Sequence, residues 1–358
     1  MVANLTTRLG QLTSSPAGGP YVGKNRIING NAAIDQRNGG ASFVASNGNY
    51  GLDRFFYGVS QASKITCGQN YLSVAPPAGA AFYFGMQTST AFTVGAGDVF
   101  YMAQTIEGLN TADLGFGTAN AKSVTLSFLA YSSLTGTFGG SLRNATGARS
   151  YPFTYSIPVA NTWTTISITI PGDTSGTWST GTAGSLLLSF SYGTGTTYSG
   201  TAGSWSGSNY VSATGAVSVV GTLNATLHLT NVQLEAGTIA TPYEFNQYQV
   251  QLLQCYRYFQ SYSYATNTAV ASANAYGTVN TFGTSTIQAP MRTAPTGGYT
   301  GSLVYFSNLV AYTCSTILFS NTTGNTWEIN TVVAGAVGGS GGWWRTNGAS
   351  TLTLSAEL

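Results

Sequence analysis

VQLEAGTIATPYEFNQYQVQLLQCYRYFQ, residues 232–260, is the stretch where strand grammar gives way to a strong helix pattern. Val232 to Glu235 closes a strand, and Ala236-Gly237 makes a turn. Thr241-Pro242-Tyr243-Glu244 has the form of a capping box, with Thr241 facing the first open N–H groups, Pro242 where a donor is not needed, and Glu244 reaching back. The spacing predicts a helix that starts at Pro242. Beyond it Phe245, Tyr248, Leu252, Cys255, Tyr256 and Phe259 recur at intervals of three and four, while Val250 and Leu253 form a second apolar stripe. One face is expected to lie on the chain's own domain. The other, carried by Tyr248, Leu252, Cys255, Tyr256 and Phe259, is expected to serve oligomer packing. The element at 241–260 thus reads as the link between a β domain at 24–240 and a second at 261–358.

Outward from the helix, strands and turn clusters alternate in both directions. Upstream, about ten strands follow one another with no helix between them, which leaves a sandwich or a barrel. In Trp163-Thr164-Thr165-Ile166-Ser167-Ile168-Thr169-Ile170 the period of two puts three isoleucines on one face and hydroxyls on the other, so the strand is half buried. Downstream, Leu303–Phe306, Thr316–Phe319 and Thr351–Leu354 read as strands of the smaller domain. Residues 1–23 stand apart. Leu5, Leu9 and Leu12 have helical spacing and are followed by a Ser/Pro/Gly linker, so the segment is either an anchor that docks on another protein or a frayed tail.

Composition narrows the partners. Of 358 residues 6% are charged, 12 Lys or Arg against 10 Asp or Glu, so there is no basic field for nucleic acid or an anionic membrane. With 43% hydrophobic and 13% aromatic residues the chain has enough apolar surface to fold. Few charges also leave strand edges poorly protected against association, which argues for an assembled protein. Cys67, Cys255 and Cys314 show no metal-ligand spacing and read as buried small hydrophobes, consistent with folding in a reducing cytoplasm. No segment has the apolar core of a signal peptide or the roughly 18 apolar residues of a membrane helix, so no membrane insertion is expected.

The opening stretch, with VQLE, then A-G-x-x-ATPYE, then L-x-x-C-Y-R-Y-F-Q, resembles a segment common in bacteriophage tail-fibre and minor tail proteins. KNRIINGNAAIDQRNGG at 24–40, YGLDRFF at 50–56, QTIEG at 104–108, KSVTLSFLA at 122–130 and NTWTTISITIP at 161–171 are similar to successive landmarks of the same family. APMRTAPTG at 289–297 and the terminal SAEL resemble its C-terminal domain. The resemblance covers roughly residues 24–358. Phe55-Phe56 stands where relatives often carry Arg-Trp, and Ile34 where Trp is frequent. The resemblance implies an all-β chain: a carbohydrate-binding-module-like jelly-roll β-sandwich, the linking helix, then a smaller β-sandwich. It also implies a virion protein made in the bacterial cytoplasm, commonly a homotrimer, joined to a phage tail or baseplate protein through its N-terminus. Its expected ligand is a host cell-surface polysaccharide.

Candidate contacts follow from the aromatic residues in loops. Gly193 to Gly215 is long, glycine-rich and nearly structureless by pattern, and loops of that length are functional or disordered. Its Tyr198, Trp205 and Tyr210, with Trp178 from the preceding GDTSGTWSTG loop, offer flat faces among small hydrogen-bonding side chains, a mixture suited to sugars. Trp205 reads first as a plug for the end of the core and second as a contact, whereas Trp178 and Tyr198 read as contacts. Alanine at either is expected to leave stability within about 1 kcal/mol. Trp343-Trp344 places adjacent indoles on opposite faces of a strand, so one of them is an interface residue or a ligand platform.

Covalent chemistry finds little support in the sequence. Glycoside hydrolysis needs two carboxylates astride one bond. Of the ten present, Asp35 and Asp53 sit in DQR and DR pairs that suggest ion pairs, Glu244 reads as a cap, and Glu107 and Glu235 precede turns. His228, the single histidine, lies at a strand end with no nucleophile elbow nearby. Zinc lacks ligands and no phosphate loop is present, so neither a metal nor another cofactor is expected.

Overall fold

The computed structural model describes residues 23–320 and 326–358. Among these the chain is all-β, with one α-helix at Tyr248–Tyr256 and four short 3-10 turns. It divides into two compact units, one built from residues up to Gln251 and the other from Leu252–Glu357. The anchor reading of Leu5, Leu9 and Leu12 falls outside the described residues.

The first unit is a jelly-roll sandwich. One sheet has six antiparallel strands in the spatial order Phe43–Val44, Ile65–Gln69, Phe84–Thr88, Leu227–Ala236, Val124–Ser132, Thr164–Ile170. The other has five, Phe56–Val59, Val99–Glu107, Gly184–Thr194, Gly136–Asn144, Ser150–Ile157. Alternation decides what lies between them. Val124, Leu126, Phe128 and Ala130 point inward from one sheet, and Leu186, Leu188, Phe190 and Tyr192 from the other. In Leu227–Ala236 the inward residues change from odd (Leu227, Leu229) to even (Val232, Leu234). A bulge between Thr230 and Gln233 makes this possible, with Asn231 in the left-handed region at φ 52° taking up the extra residue. Ile166 and Ile170 are buried and the intervening hydroxyls exposed, as the alternation predicts. Cys67 and Cys255 are buried, Cys314 half-buried, and burial pushes the Cys67 thiol up to about 12.

The helix is shorter than the periodicity predicts, nine residues starting at Tyr248 rather than at Pro242. Thr241 and Glu244 do not cap it. The Thr241 backbone N–H and hydroxyl both donate to the Glu235 carboxylate, at 2.8 and 2.7 Å. The Glu244 carboxylate accepts the backbone N–H groups of Gly23 and Asn25, the latter at 2.8 Å, and Gln233 accepts the Glu244 N–H. Residues 23–30 therefore run beside the strand that ends the sandwich, with the Arg26 N–H on the Leu234 carbonyl and the Val232 N–H on that of Gly30. A Cβ on Gly30 would stand 2.1 Å from the Val232 oxygen, so only glycine permits this approach. Gln104 joins the same seam by exchanging hydrogen bonds with both backbone groups of Ile28, at 2.9 and 2.8 Å. The pairing of Asp53 also differs from expectation. Its carboxylate takes Arg37 at 2.6 Å, while its neighbour Arg54 reaches the Thr105 carbonyl.

In the second unit six strands close into a barrel: Ala269–Ala275, Asn280–Thr286, Thr326–Val333, Val310–Ser320, Leu303–Ser307, Gly341–Thr346. A separate sheet has the order Phe259–Tyr264, Ser350–Ser355, Thr296–Thr300. Closure removes the free edges that an open second sandwich would carry. Tyr305, Trp327, Ile329 and Trp344 fill its core together with Leu352 and Leu354.

Candidate functional site

The loop after strand Thr164–Ile170 carries Trp178, and its shape is set by one carboxylate. Asp173, 2% exposed, holds the Arg149 guanidinium through two bonds of 2.6 and 2.8 Å and accepts the Ser175 N–H at 3.0 Å. Its backbone carbonyl takes the Gly117 N–H at 2.7 Å, which draws the Phe116 loop alongside. Gly117 has φ 82°, and a Cβ there would come 2.7 Å from the Gly176 oxygen and 2.9 Å from Trp178 Cδ1. Trp178, Trp205 and Phe116 then meet edge to face, with ring centroids 5.7 Å apart between the indoles and 5.0 and 5.9 Å from each to Phe116. Tyr151 tilts against Trp205 at 5.4 Å. Both indole N–H groups are spent on backbone, Trp178 on Ser175 at 2.9 Å and Trp205 on Pro171 at 2.7 Å. What remains for a ligand is ring surface. Beside it opens a cavity of about 140 Å³ lined by Phe116, Trp178, Thr111, Thr118, Ser179 and Thr180.

The loop at Gly193–Gly215 is not structureless. Ser150 exchanges backbone hydrogen bonds with Ser206 at 3.0 and 2.8 Å, and its hydroxyl donates to the Ser208 carbonyl at 2.6 Å. Arg143, buried under the loop and over the Tyr101 ring, donates to Asn209 at 2.7 Å. Ser199–Gly200 and Ser212–Ala213 pair as a two-stranded parallel ribbon. Tyr198 and Tyr210 flank that ribbon, both half-buried, and the Tyr210 ring covers Gly200. No ring contact joins either to the pair of indoles among the described residues.

In the barrel the two adjacent tryptophans part as their spacing requires. Trp344 is fully buried and its N–H lies 3.2 Å from the Thr281 hydroxyl, so it is a core residue and not a ligand platform. Trp343 is 43% exposed, lies 5.3 Å from the Phe306 ring, and shares that ring with the Arg345 guanidinium. Of the five helix-region residues assigned to packing, Cys255 and Phe259 are buried, Leu252 and Tyr256 half-buried, and Tyr248 exposed. Phe259 lies on a strand rather than on the helix. Phe245, Val250 and Leu253 are exposed beside Tyr248.

Phe116, Tyr151 and Arg149 are the site residues that sequence reasoning missed. Phe116 is a single aromatic in a turn, and nothing in LGFGTAN marks it as the centre of a ring cluster. The carboxylates are committed elsewhere. Asp35 holds Asn38 and Gly40, Asp98 holds Gly95 and Ser60, Asp113 holds Arg26, and Glu328 holds Ser320 and Asn330. Among the described residues no three His, Cys, Asp or Glu side chains gather as metal ligands, and no helix is long and apolar enough to cross a membrane.

No family model and no curated protein matches the sequence. Solved structures with a similar architecture include the enzymatically active domain of bacteriophage CBA120 tailspike protein 4, at 16% identity and TM-score 0.31 over 60% of this chain. The aligned part is 21% of that domain, so the chain spans about a fifth of its length. The family 11 carbohydrate-binding module of a Clostridium thermocellum cellulase aligns over 56% of this chain and 98% of its own, at 12% identity and TM-score 0.28. The module TmCBM61, solved with β-1,4-galactotriose, aligns over 51% and 88%, at 9% and 0.27. These are likenesses of β architecture.

Proposed function

We propose that this chain is a virion protein of a tailed bacteriophage, a tail-fibre or receptor-binding subunit that grips host-surface glycan without covalent chemistry. The observation that carries the reading is the Trp178–Trp205–Phe116 cluster beside an open, hydroxyl-lined cavity. Ring faces suit the C–H faces of a pyranose, and small hydroxyl side chains suit its rim. A cavity of about 140 Å³ is smaller than the roughly 300 Å³ of the smallest drug-sized pockets, so one sugar ring is engaged per site. Weak single sites are sufficient on a particle, because multivalency raises avidity by roughly 10² to 10⁴. Asp173, which shapes the Trp178 loop, is locked to Arg149, and Asp113 is paired with Arg26, which favours binding over hydrolysis. Association of copies, in the homotrimer expected of such fibres, is supported by exposed Phe245, Tyr248 and Val250 in the first unit's terminal segment and by Leu253, Leu309, Leu318 and Trp343 on the second.

The test is binding of purified protein to host-envelope polysaccharide, alongside its mass in solution. Retention of polysaccharide by an oligomer, weakened in Trp178→Leu, which removes the ring face while keeping an apolar side chain against Phe116 and Trp205, is the expected result. A monomer that binds no envelope component refutes the proposal. Release of new reducing ends would replace it with a depolymerase.

A further inference from the structure

A second cleft, far in sequence from the paired indoles, lies entirely within the first unit. It is about 140 Å³ in volume, and its walls include Asn31, Ala33, Ala81, Phe82, Phe245 and Gln251. None of its lining residues is charged. Asn31 and Gln251 are 8% and 3% exposed, and the side-chain oxygen of each is buried with no hydrogen-bond partner. The Gln251 amide is held in orientation by its N–H donating to the Asn246 carbonyl at 3.1 Å. A buried acceptor left without a donor is costly, and two of them in one small cleft call for a donor from outside the chain. Phe245, 74% exposed, stands at the rim and offers a flat apolar face.

We infer that this cleft binds one ring of a neutral polyhydroxylated sugar, two of whose hydroxyls donate to Asn31 Oδ1 and Gln251 Oε1 while Phe245 covers one face. The absence of lining charge selects against uronic or sialic acids, whose carboxylate would face two carbonyl oxygens. The inference takes its ligand class from the glycan reading above, but its residues are separate from the indole cluster.

The full-length protein, labelled with ¹³C at alanine methyls, carries reporters at Ala33, Ala80 and Ala81 in the cleft wall. It is titrated with glucose, galactose and N-acetylglucosamine. Saturable shifts of these methyls with at least one sugar, on the order of millimolar, are expected. Gln251→Met is expected to weaken binding about fivefold, and its thermal midpoint reports separately the balance between removing an unpaired carbonyl and losing the bond to Asn246. Phe245→Ala, at an exposed position, gives a second variant that keeps the fold and weakens the same titration. Silent methyls with all three sugars, or shifts identical in both variants, overturn the inference. If the protein still adsorbs polysaccharide in that case, the indole site stands and only this cleft is lost. If adsorption is also absent, the glycan reading falls with it.

Discussion

His228 makes a sharp physical prediction, because it is the single histidine and it is fully buried. Its Nδ1 accepts the Met86 N–H at 3.2 Å, its Nε2 is buried with no partner, and Tyr83 and Tyr131 lie 5.0 and 5.4 Å away. Burial lowers its folded-state pKa from 6.5 to about 4, a contact with Leu227 backbone offsetting part of the effect. The folded state therefore resists a proton that the unfolded chain accepts. The stabilisation from the neutral imidazole is complete above pH 6.5, declines as pH falls through that value, and is exhausted near pH 4. A shift of about 2.5 units at 1.36 kcal/mol each gives a loss of about 3 kcal/mol, a large share of a typical stability of roughly 5–15 kcal/mol. Urea unfolding of the wild type and of His228→Leu between pH 7.5 and 4 isolates the effect, since carboxylate titrations are common to both. The leucine variant loses the acceptor for Met86 at every pH, which displaces its curve without tilting it. The difference between the curves is expected to close by about 3 kcal/mol as pH falls. Parallel curves, or an imidazole that titrates near 6.5 in the folded protein, refute the reasoning.

Three further outcomes are expected. Trp178→Ala should cost about 2 kcal/mol in chemical denaturation, below the roughly 3–5 of a fully buried tryptophan but above the 1 kcal/mol expected of a free loop residue, because its ring packs on Phe116 and Trp205. Glu244→Ala should cost about 2–4 kcal/mol by stranding the N–H groups of Gly23 and Asn25, with faster amide exchange at residues 23–27 as the readout. Gly30→Ala should give little folded protein by circular dichroism, since the added carbon would overlap the Val232 carbonyl.

The sandwich was legible because alternation is local: Ile166 and Ile170 announce their face within seven residues, and Trp343 and Trp344 announce opposite faces within two. Barrel closure in the second unit depends on register between distant strands, which leaves no periodic trace. Thr241 and Glu244 misled for a physical reason. Thr-Pro-Tyr-Glu spells a helix start only if nothing else competes for its side chains, and here Glu235 and residues 23–25 claim them. Much the same holds at the site. The indoles were visible, but Phe116 and the Ser150 and Arg143 anchors of the long loop act across tens of residues and carry no local mark.

The clasp between residues 23–26 and 241–244 brings the chain's entry into the sandwich beside its exit. A pull applied through the segments on either side is taken up first by that polar knot, and the eleven strands behind it are out of the load path until it gives. The two sheets can thus keep their loops in register until the clasp opens, and the first thing to part under force is a handful of hydrogen bonds that can form again.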